Sequence, residues 1–404
     1  MNISFPLLLD GAMGTQLYKH GFPAGACPEK WSLEHPEEVL SIQRAYVDAG
    51  SQVLYAPTFG ANSSVLEKNG VFNQVKDYNC RLVALAREAA DGRAYVAGDI
   101  SSTGAMLYPL GDSSFEDLYQ VYREQAEALE EAGVDLYVIE TMTNVSEARA
   151  ALLAVKDVSD KPVFVSFTCN EAGRTMTGTD VTAALLILQG MGADAFGLNC
   201  SVGPREMIPQ IKRLAELAEV PLIAKANAGL PKTAGVRTVY DVSPEEFASY
   251  VPALAEAGVS IFGGCCGTDE RTIAALKEAL ASVTLHAPAA DVASELLPCA
   301  TERDVFLLPP DASYEEAIPC DEDLEDALAE AEPGQLIAVA IETEEDLAAF
   351  ADCQYAVANP LCIVCDDAAL LEKTLRCYQG RALYEGSLPD EVLVPLAKKY
   401  GLIF

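Results

Sequence analysis

Ser260-Ile261-Phe262-Gly263-Gly264-Cys265-Cys266-Gly267-Thr268 reads as an apolar strand running into small residues and two adjacent cysteines, just ahead of a helix-like segment at 269–281. Neighbouring side chains on a regular strand face opposite ways, so Cys265 and Cys266 converge only if the strand ends or distorts there. The flanking glycines permit that. The same strand-then-helix unit recurs upstream: apolar, β-rich runs stand at 7–10, 53–59, 94–100, 136–141, 162–168, 195–200, 221–227 and 260–266. Helix-like segments follow at 36–49, 73–91, 115–133, 144–157, 180–191, 203–219, 244–258 and 269–281. Ser243-Pro244-Glu245-Glu246 is a start signal, and Ala49-Gly50, Ala132-Gly133 and Ala257-Gly258 are stop signals. Continuous apolar strands, each followed by a helix, mean a parallel sheet covered by helices. Eight such repeats predict an α/β fold of the (β/α)8 TIM barrel type over residues 1–284.

In such a barrel, chemistry sits where strands run into the following loops. Asp10, Thr58, Asp99, Glu140, Thr168, Asn199, Cys200, Asn227, Cys265 and Cys266 all fall at predicted strand ends. A single polar residue there is ordinary, because those loops meet water. Three cysteines at two strand ends are not. Three thiolates around one Zn²⁺ leave a fourth tetrahedral position open, which is the catalytic rather than the structural arrangement. A substrate sulfur in that position would lose its proton. Three protein thiolates and one substrate thiolate would then give a net charge of about −2 by simple counting, keeping the sulfur nucleophilic.

Composition narrows the field. The chain has 404 residues, half of them hydrophobic, and a formal charge of −34. That charge argues against a nucleic acid or an anionic membrane as partner. The three histidines, His20, His35 and His286, exclude a histidine-rich metal site and a Ser-His-Asp triad. Twelve cysteines without a secretion signal read as core residues or metal ligands rather than disulfides. The apolar run at 3–9 stops at Asp10 and is too short to span a bilayer, so a soluble, cytoplasmic protein is expected. Residues 1–284 carry a net charge of −15 and the shorter remainder −19, which supports a boundary there. The stretch 285–319, rich in Ala and Pro, reads as a linker with one short strand at 305–308. Residues 320–404 read as a small acidic α/β domain, with strands near 336–341, 361–365 and 382–384 and helices near 321–332, 343–351, 367–378 and 389–400. Its Cys362-Ile363-Val364-Cys365 is formally a Cys-x-x-Cys, but positions i and i+3 of a strand face opposite sides, so the pair is expected in the core.

Six motifs in order carry a resemblance. They are Asp10-Gly11-Ala12-Met13-Gly14-Thr15, Thr58-Phe59-Gly60-Ala61-Asn62, Glu140-Thr141-Met142, Asn199-Cys200, Asn227-Ala228-Gly229-Leu230-Pro231 and Gly264-Cys265-Cys266-Gly267. Together they resemble the homocysteine S-methyltransferase family over about residues 1–283, and most closely the homocysteine-binding module of cobalamin-dependent methionine synthases. The resemblance implies an enzyme that methylates a zinc-bound homocysteine thiolate to methionine, with one Zn²⁺ per chain on Cys200, Cys265 and Cys266. It also implies that Asp10 and Glu140 receive the substrate's amino group, that backbone amides around Gly11, Ala12 and Thr15 receive its carboxylate, and that Asn227 lies beside the metal. It further implies an external methyl donor, methylcobalamin on a separate corrinoid protein fed by a methyltetrahydrofolate system. S-methylmethionine remains the nearest alternative donor, and a non-catalytic zinc-binding regulatory or scaffold protein the alternative class. No histidine follows His286, so the tail holds no cobalamin-ligating histidine. Its stretches 361–363, 378–383 and 394–401 resemble part of a methyltetrahydrofolate-binding barrel, which suggests a reduced remnant.

Overall fold

The computed structural model describes residues 3–108, 111–234, 237–285 and 295–404. Seven strands alternate with helices in the first half: β1 (Leu7–Leu8), β2 (Val53–Tyr55), β3 (Tyr95–Ile100), β4 (Leu136–Met142), β5 (Val163–Phe167), β6 (Ala195–Asn199) and β7 (Leu222–Ala226). A small antiparallel hairpin, β8 (Lys232–Ala234) and β9 (Arg237–Val239), follows, and then β10 (Val259–Gly264). The strands other than the hairpin form one eight-stranded parallel sheet in the order β1-β10-β7-β6-β5-β4-β3-β2. The two ends of that order close on each other: the Gln52 amide donates to the Leu8 carbonyl at 2.7 Å, and the Tyr55 amide to Asp10 Oδ2 at 2.8 Å. The result is the (β/α)8 barrel expected from the sequence.

Its interior is filled by Leu7, Leu9, Val53, Tyr55, Leu136, Val138, Phe164, Ile223 and Ile261, contributed by strands all round the ring. A larger apolar layer lies between strands and outer helices. Proline chemistry explains two departures from the predicted spans. β2 stops at Tyr55 because Pro57 has no N–H to give the ladder, and the Thr58 amide turns back onto the Ala56 carbonyl at 2.7 Å. The segment 244–258 breaks into helices Pro244–Ser249 and Val251–Glu256, with Pro252 in the first turn of the second. Among the described residues, no helix is long and apolar enough to cross a membrane.

Of the stretch read as a linker, residues 286–294 lie outside the described residues, and 295–319 are more ordered than their composition suggests. It carries an antiparallel hairpin, β11 (Leu297–Ala300) and β12 (Val305–Leu308), and then β13 (Ala317–Pro319). β13 opens a second parallel sheet with β14 (Ile337–Ala340), β15 (Leu361–Val364) and β16 (Leu383–Glu385), in that order. Pro298 and Pro319 made these short strands look like connections; Pro319 is tolerated on an edge strand, where an amide donor can be missing. Helices Leu324–Glu330, Glu344–Cys353, Ala368–Cys377 and Asp390–Tyr400 each follow one strand, so the tail has the topology of half a (β/α)8 barrel. Cys362 and Cys365 point into different apolar clusters on opposite faces of β15, both buried. The tail packs on the barrel's flank: Arg149 Nη2 donates to the Leu375 carbonyl at 2.7 Å, Arg376 pairs with Glu116 at 2.9 Å, and the Asp180 amide donates to the Glu302 carbonyl at 3.3 Å.

Candidate active site

Strand β10 ends at Gly264, so Cys265 and Cys266 lie beyond its pleat, and Gly267 at φ 85° turns the chain in the left-handed region open to glycine. Strand β6 ends at Asn199, and the next two residues, Cys200 and Ser201, hold φ values of 61° and 59°. Thr141, at the end of β4, holds φ 60°. Non-glycine residues there cost on the order of 1–3 kcal/mol each and persist only where the surroundings fix them. The surroundings here do. Asn199 Oδ1 accepts from the Thr141 amide and from Ser166 Oγ, both at 2.9 Å, while its Nδ2 donates to Thr141 Oγ1 at 2.7 Å.

The end of β7 stitches the two cysteine loops together. The Cys200 amide donates to the Lys225 carbonyl at 3.1 Å and the Cys265 amide to the Ala226 carbonyl at 2.7 Å. The Asn227 amide reaches the Val202 carbonyl at 3.0 Å and the Ala228 amide the Cys266 carbonyl at 2.9 Å. The loop after β1 braces the cysteine pair from the other side. Thr268 Oγ1 accepts from the Ala12 amide at 3.1 Å and donates to the Cys265 carbonyl at 2.7 Å, and the Gly267 amide donates to Thr15 Oγ1 at 3.1 Å. Of the backbone amides expected to meet a substrate carboxylate, that of Ala12 is thus engaged within the protein.

These constraints bring the sulfurs of Cys200, Cys265 and Cys266 within 4.8 Å of one another, half-buried, with Cys200 Sγ and Cys266 Sγ 3.9 Å apart. Zinc–sulfur bonds of about 2.3 Å at tetrahedral angles put sulfurs roughly 3.8 Å apart, so the spacing fits an ion at the centre. Thiol donors suit zinc rather than magnesium or calcium, which take oxygen. The trio is the one group of this kind among the described residues. The Asn227 side chain hydrogen-bonds Cys200 in the sense that favours its thiolate, which places the amide beside the trio, and its Oδ1 is buried without a hydrogen-bond partner. Hydrogen bonds from the thiols of Cys265 and Cys266 pull Cys200 down to about 2, while the same bonding pushes Cys266 up to about 11 and Cys265 well above its usual range. Tyr240, which follows the β8–β9 hairpin, sets its hydroxyl against Cys266.

Inside the barrel, at the ends of the strands, lies a buried charged cluster. Lys225 Nζ is 3.3 Å from Asp10 Oδ1, 3.7 Å from Glu140 Oε2 and 4.0 Å from the centre of the Tyr55 ring. Burial pushes the carboxyls of Asp10, Asp99 and Glu140 up, and the Lys225 ammonium opposes it. Asp99 is raised well above its ordinary value, chiefly by burial, with the Glu140 charge adding to it. Asp10 Oδ1, Glu140 Oε2 and Asp99 Oδ1 are all buried without a hydrogen-bond partner.

A family model described as homocysteine S-methyltransferase matches residues 7–280. The chain belongs to that family of enzymes. Methionine synthase of Mycobacterium leprae is 31% identical over 277 residues, covering 64% of this chain and 23% of that protein. Methionine synthase of Mycobacterium tuberculosis is 31% identical over 292 residues, covering 68% of this chain and 24% of that protein. The chain thus spans about a quarter of the length of these relatives. Among solved structures, the oxidised form of the homocysteine methyltransferase MmuM from Escherichia coli aligns with a TM-score of 0.58 at 27% identity, over 67% of this chain and 95% of that one. Its metallated form aligns with a TM-score of 0.56 over the same shares.

The homocysteine S-methyltransferase motifs read from the sequence gather at this one end of the barrel. Cys200, Cys265, Cys266 and Asn227 stand together, Asp10 and Glu140 face each other across Lys225, and Ala12 and Thr15 support the cysteine loop. Sequence reasoning passed over Lys225, Tyr55 and Tyr240. For Lys225 a signal existed: it is the one charge in the apolar run Leu222-Ile223-Ala224-Lys225-Ala226, a parallel strand buried on both faces. Tyr240 offered none, because its contact depends on where the β8–β9 hairpin folds back.

Proposed function

We propose that this chain is a zinc-dependent homocysteine S-methyltransferase that forms methionine, with the methyl group delivered by a corrinoid on a separate protein. The observation that carries this reading is three cysteine sulfurs within 4.8 Å of one another beside two buried carboxylates, each with an oxygen that makes no hydrogen bond. Cys200, Cys265 and Cys266 would hold the zinc. When bound, it supplies a Lewis acid that lowers the pKa of an incoming thiol and fixes its position. The three cysteine thiolates contribute an excess of negative charge, which keeps that sulfur electron-rich. The Asn227 side chain lies against Cys200, and its unpartnered Oδ1 would be the group to fill the open position when no thiol is present. Asp10 and Glu140 take the substrate's ammonium, since a charged amine needs charged acceptors once it leaves water. Tyr55 walls that pocket and excludes solvent from it.

The corrinoid donor is favoured by the likeness to methionine synthases. Residues 287–404 hold no histidine to ligate cobalt, so the corrinoid is read as lying outside these residues. The tail is read as a reduced pterin-type barrel without a pterin site. The test is to offer homocysteine with methylcobalamin, S-methylmethionine or betaine in parallel, with zinc content measured on the same sample. Methionine from methylcobalamin is expected. Methionine only from S-methylmethionine would reassign the donor, and none from any donor at one zinc per chain would leave a non-catalytic zinc protein.

A further inference from the structure

We propose, on the reading that Glu140 receives the ammonium of homocysteine, that Glu302 of the tail is a positioning residue for it: Glu302 fixes the outer end of the segment 140–144, which aims the Glu140 carboxylate. Glu140 needs such a fixture because the strand ladder does not supply one. Ile139 pairs with Val165 and Met142 with Phe167, so Glu140 and Thr141 of β4 stand against Ser166 alone, as a bulge. A bulge leaves a residue unpaired and re-aims its neighbours, so the direction of Glu140 depends on contacts outside the ladder.

Those contacts come from three sides. Thr141, at φ 60°, is held by Asn199. The Thr143 carbonyl accepts from Thr177 Oγ1, in the loop after β5. Asn144 caps the helix Val145–Val158 with Oδ1 and turns its Nδ2 to Glu302 Oε1 at 3.5 Å. Glu302 Oε1 also accepts from Thr179 Oγ1 at 3.0 Å, so one carboxylate oxygen joins the loops after β4 and β5. The β11–β12 turn that carries Glu302 is itself gripped by the β5 loop. The Asp180 amide donates to the Glu302 carbonyl at 3.3 Å, Arg174 donates to the Arg303 carbonyl, and Arg174 Nη2 lies 3.1 Å from Asp304 Oδ1. The contacts of Arg149 with Leu375 and of Arg376 with Glu116 fall instead on the outer helices, away from this segment.

The experiment is calorimetric titration of the zinc-loaded full chain with homocysteine and with 4-sulfanylbutanoic acid, which keeps the thiol and the carboxylate but lacks the amine. Wild type, Glu302→Ala, Glu302→Gln and Arg376→Ala are compared, with zinc content and thermal melting read on the same samples. Loss of an acceptor shared by two donors predicts that Glu302→Ala weakens homocysteine about three- to ten-fold and leaves 4-sulfanylbutanoic acid within about two-fold. Glu302→Gln keeps an acceptor oxygen and should bring homocysteine back to within about two-fold of wild type. Arg376→Ala removes a docking contact on the outer helices and should leave both affinities in place. Equal losses for the two thiols, no loss for homocysteine, an unrescued Glu302→Gln, or an Arg376→Ala loss as large as that of Glu302→Ala each overturns the assignment. If Glu302→Ala does not fold, Thr179→Val, which removes the donor at 3.0 Å and keeps the carboxylate, decides by the same comparison of the two thiols. Wild type that binds homocysteine no better than 4-sulfanylbutanoic acid removes the reading of Glu140 and the proposal with it, whereas an undiminished preference for the amine in Glu302→Ala removes the proposal alone.

Discussion

Loading zinc onto the apoprotein should release two protons per ion at pH 7. Free of metal, the trio shares one negative charge: Cys200 is held at about 2 by hydrogen bonds from its neighbours, Cys266 is pushed up to about 11, and Cys265 is raised well above its usual value. At pH 7 that is one thiolate and two thiols. Zinc requires all three as thiolates, so the two remaining protons must leave. The sign follows: protons compete with the metal, and apparent affinity rises with pH throughout the range below about 11, where Cys266 still carries its proton. Two protons at about 1.4 kcal/mol per pH unit each make the slope about 2.7 kcal/mol, close to a hundred-fold in affinity, for each unit. The apoprotein is prepared with a chelator, and release is counted with a pH indicator in weak buffer and by calorimetry in two buffers of different ionisation enthalpy. A count near zero would mean that the thiols are already ionised by something other than each other. A count of three would mean that Cys200 gains nothing from its neighbours. Either refutes the shared-thiolate description.

Three further perturbations test separate parts of the site. Cys265→Ala should abolish zinc retention while the barrel persists by circular dichroism, since the residue lies beyond the end of β10; full methyl transfer by that variant would sink the metal assignment. Glu140→Gln should weaken homocysteine binding by about 1.5–3 kcal/mol with zinc still bound, and unchanged affinity in a titration would place the amino group elsewhere. Asp269 caps the helix Glu270–Leu280 by accepting from the Arg271 and Thr272 amides, and Asp269→Ala should cost about 1 kcal/mol of stability at pH 7. Burial alone would raise the Asp269 carboxyl, but the Arg271 guanidinium at 2.6 Å and the helix amides hold it below its usual range. A carboxyl depressed by folding contributes stability above its unfolded value and loses it as pH falls through the folded one. The gap between wild type and variant in urea melts should therefore close below about pH 4, and a gap unchanged at pH 3 would rule out the charge as its source.

What the sequence disclosed and what it hid both follow from how far apart the interacting residues lie. The strands were legible because a parallel strand covered on both faces is a continuous apolar run, a property of five or six consecutive residues. The cysteines were legible because two of them are adjacent. Lys225 was visible as an anomaly in its run, but its meaning depends on Asp10 and Glu140, brought to it by strands far away in the chain. The docked tail is the instructive case. Residues Val181 to Gln189 of the helix Val181–Gly190 are all buried, and the segment Val-Thr-Ala-Ala-Leu-Leu-Ile-Leu-Gln-Gly has no charged residue at all. An outer helix of a barrel should show one polar face to water, as Phe115–Ala132 does with Glu116, Arg123, Glu127 and Glu131. A helix that is apolar all round must be covered on its outer side as well, and here the helix Asp390–Tyr400 and strand β11 cover it, with Gly401 against Gly190. The neighbouring helix Val145–Val158 makes the same point through Arg149, fully buried with Nη2 on the Leu375 carbonyl and with Nε and Nη1 unpaired. Stripping the tail would expose the Leu185–Leu188 face and leave that guanidinium without its carbonyl. The barrel and the acidic tail therefore share one continuous apolar cluster, a contact that composition alone does not disclose.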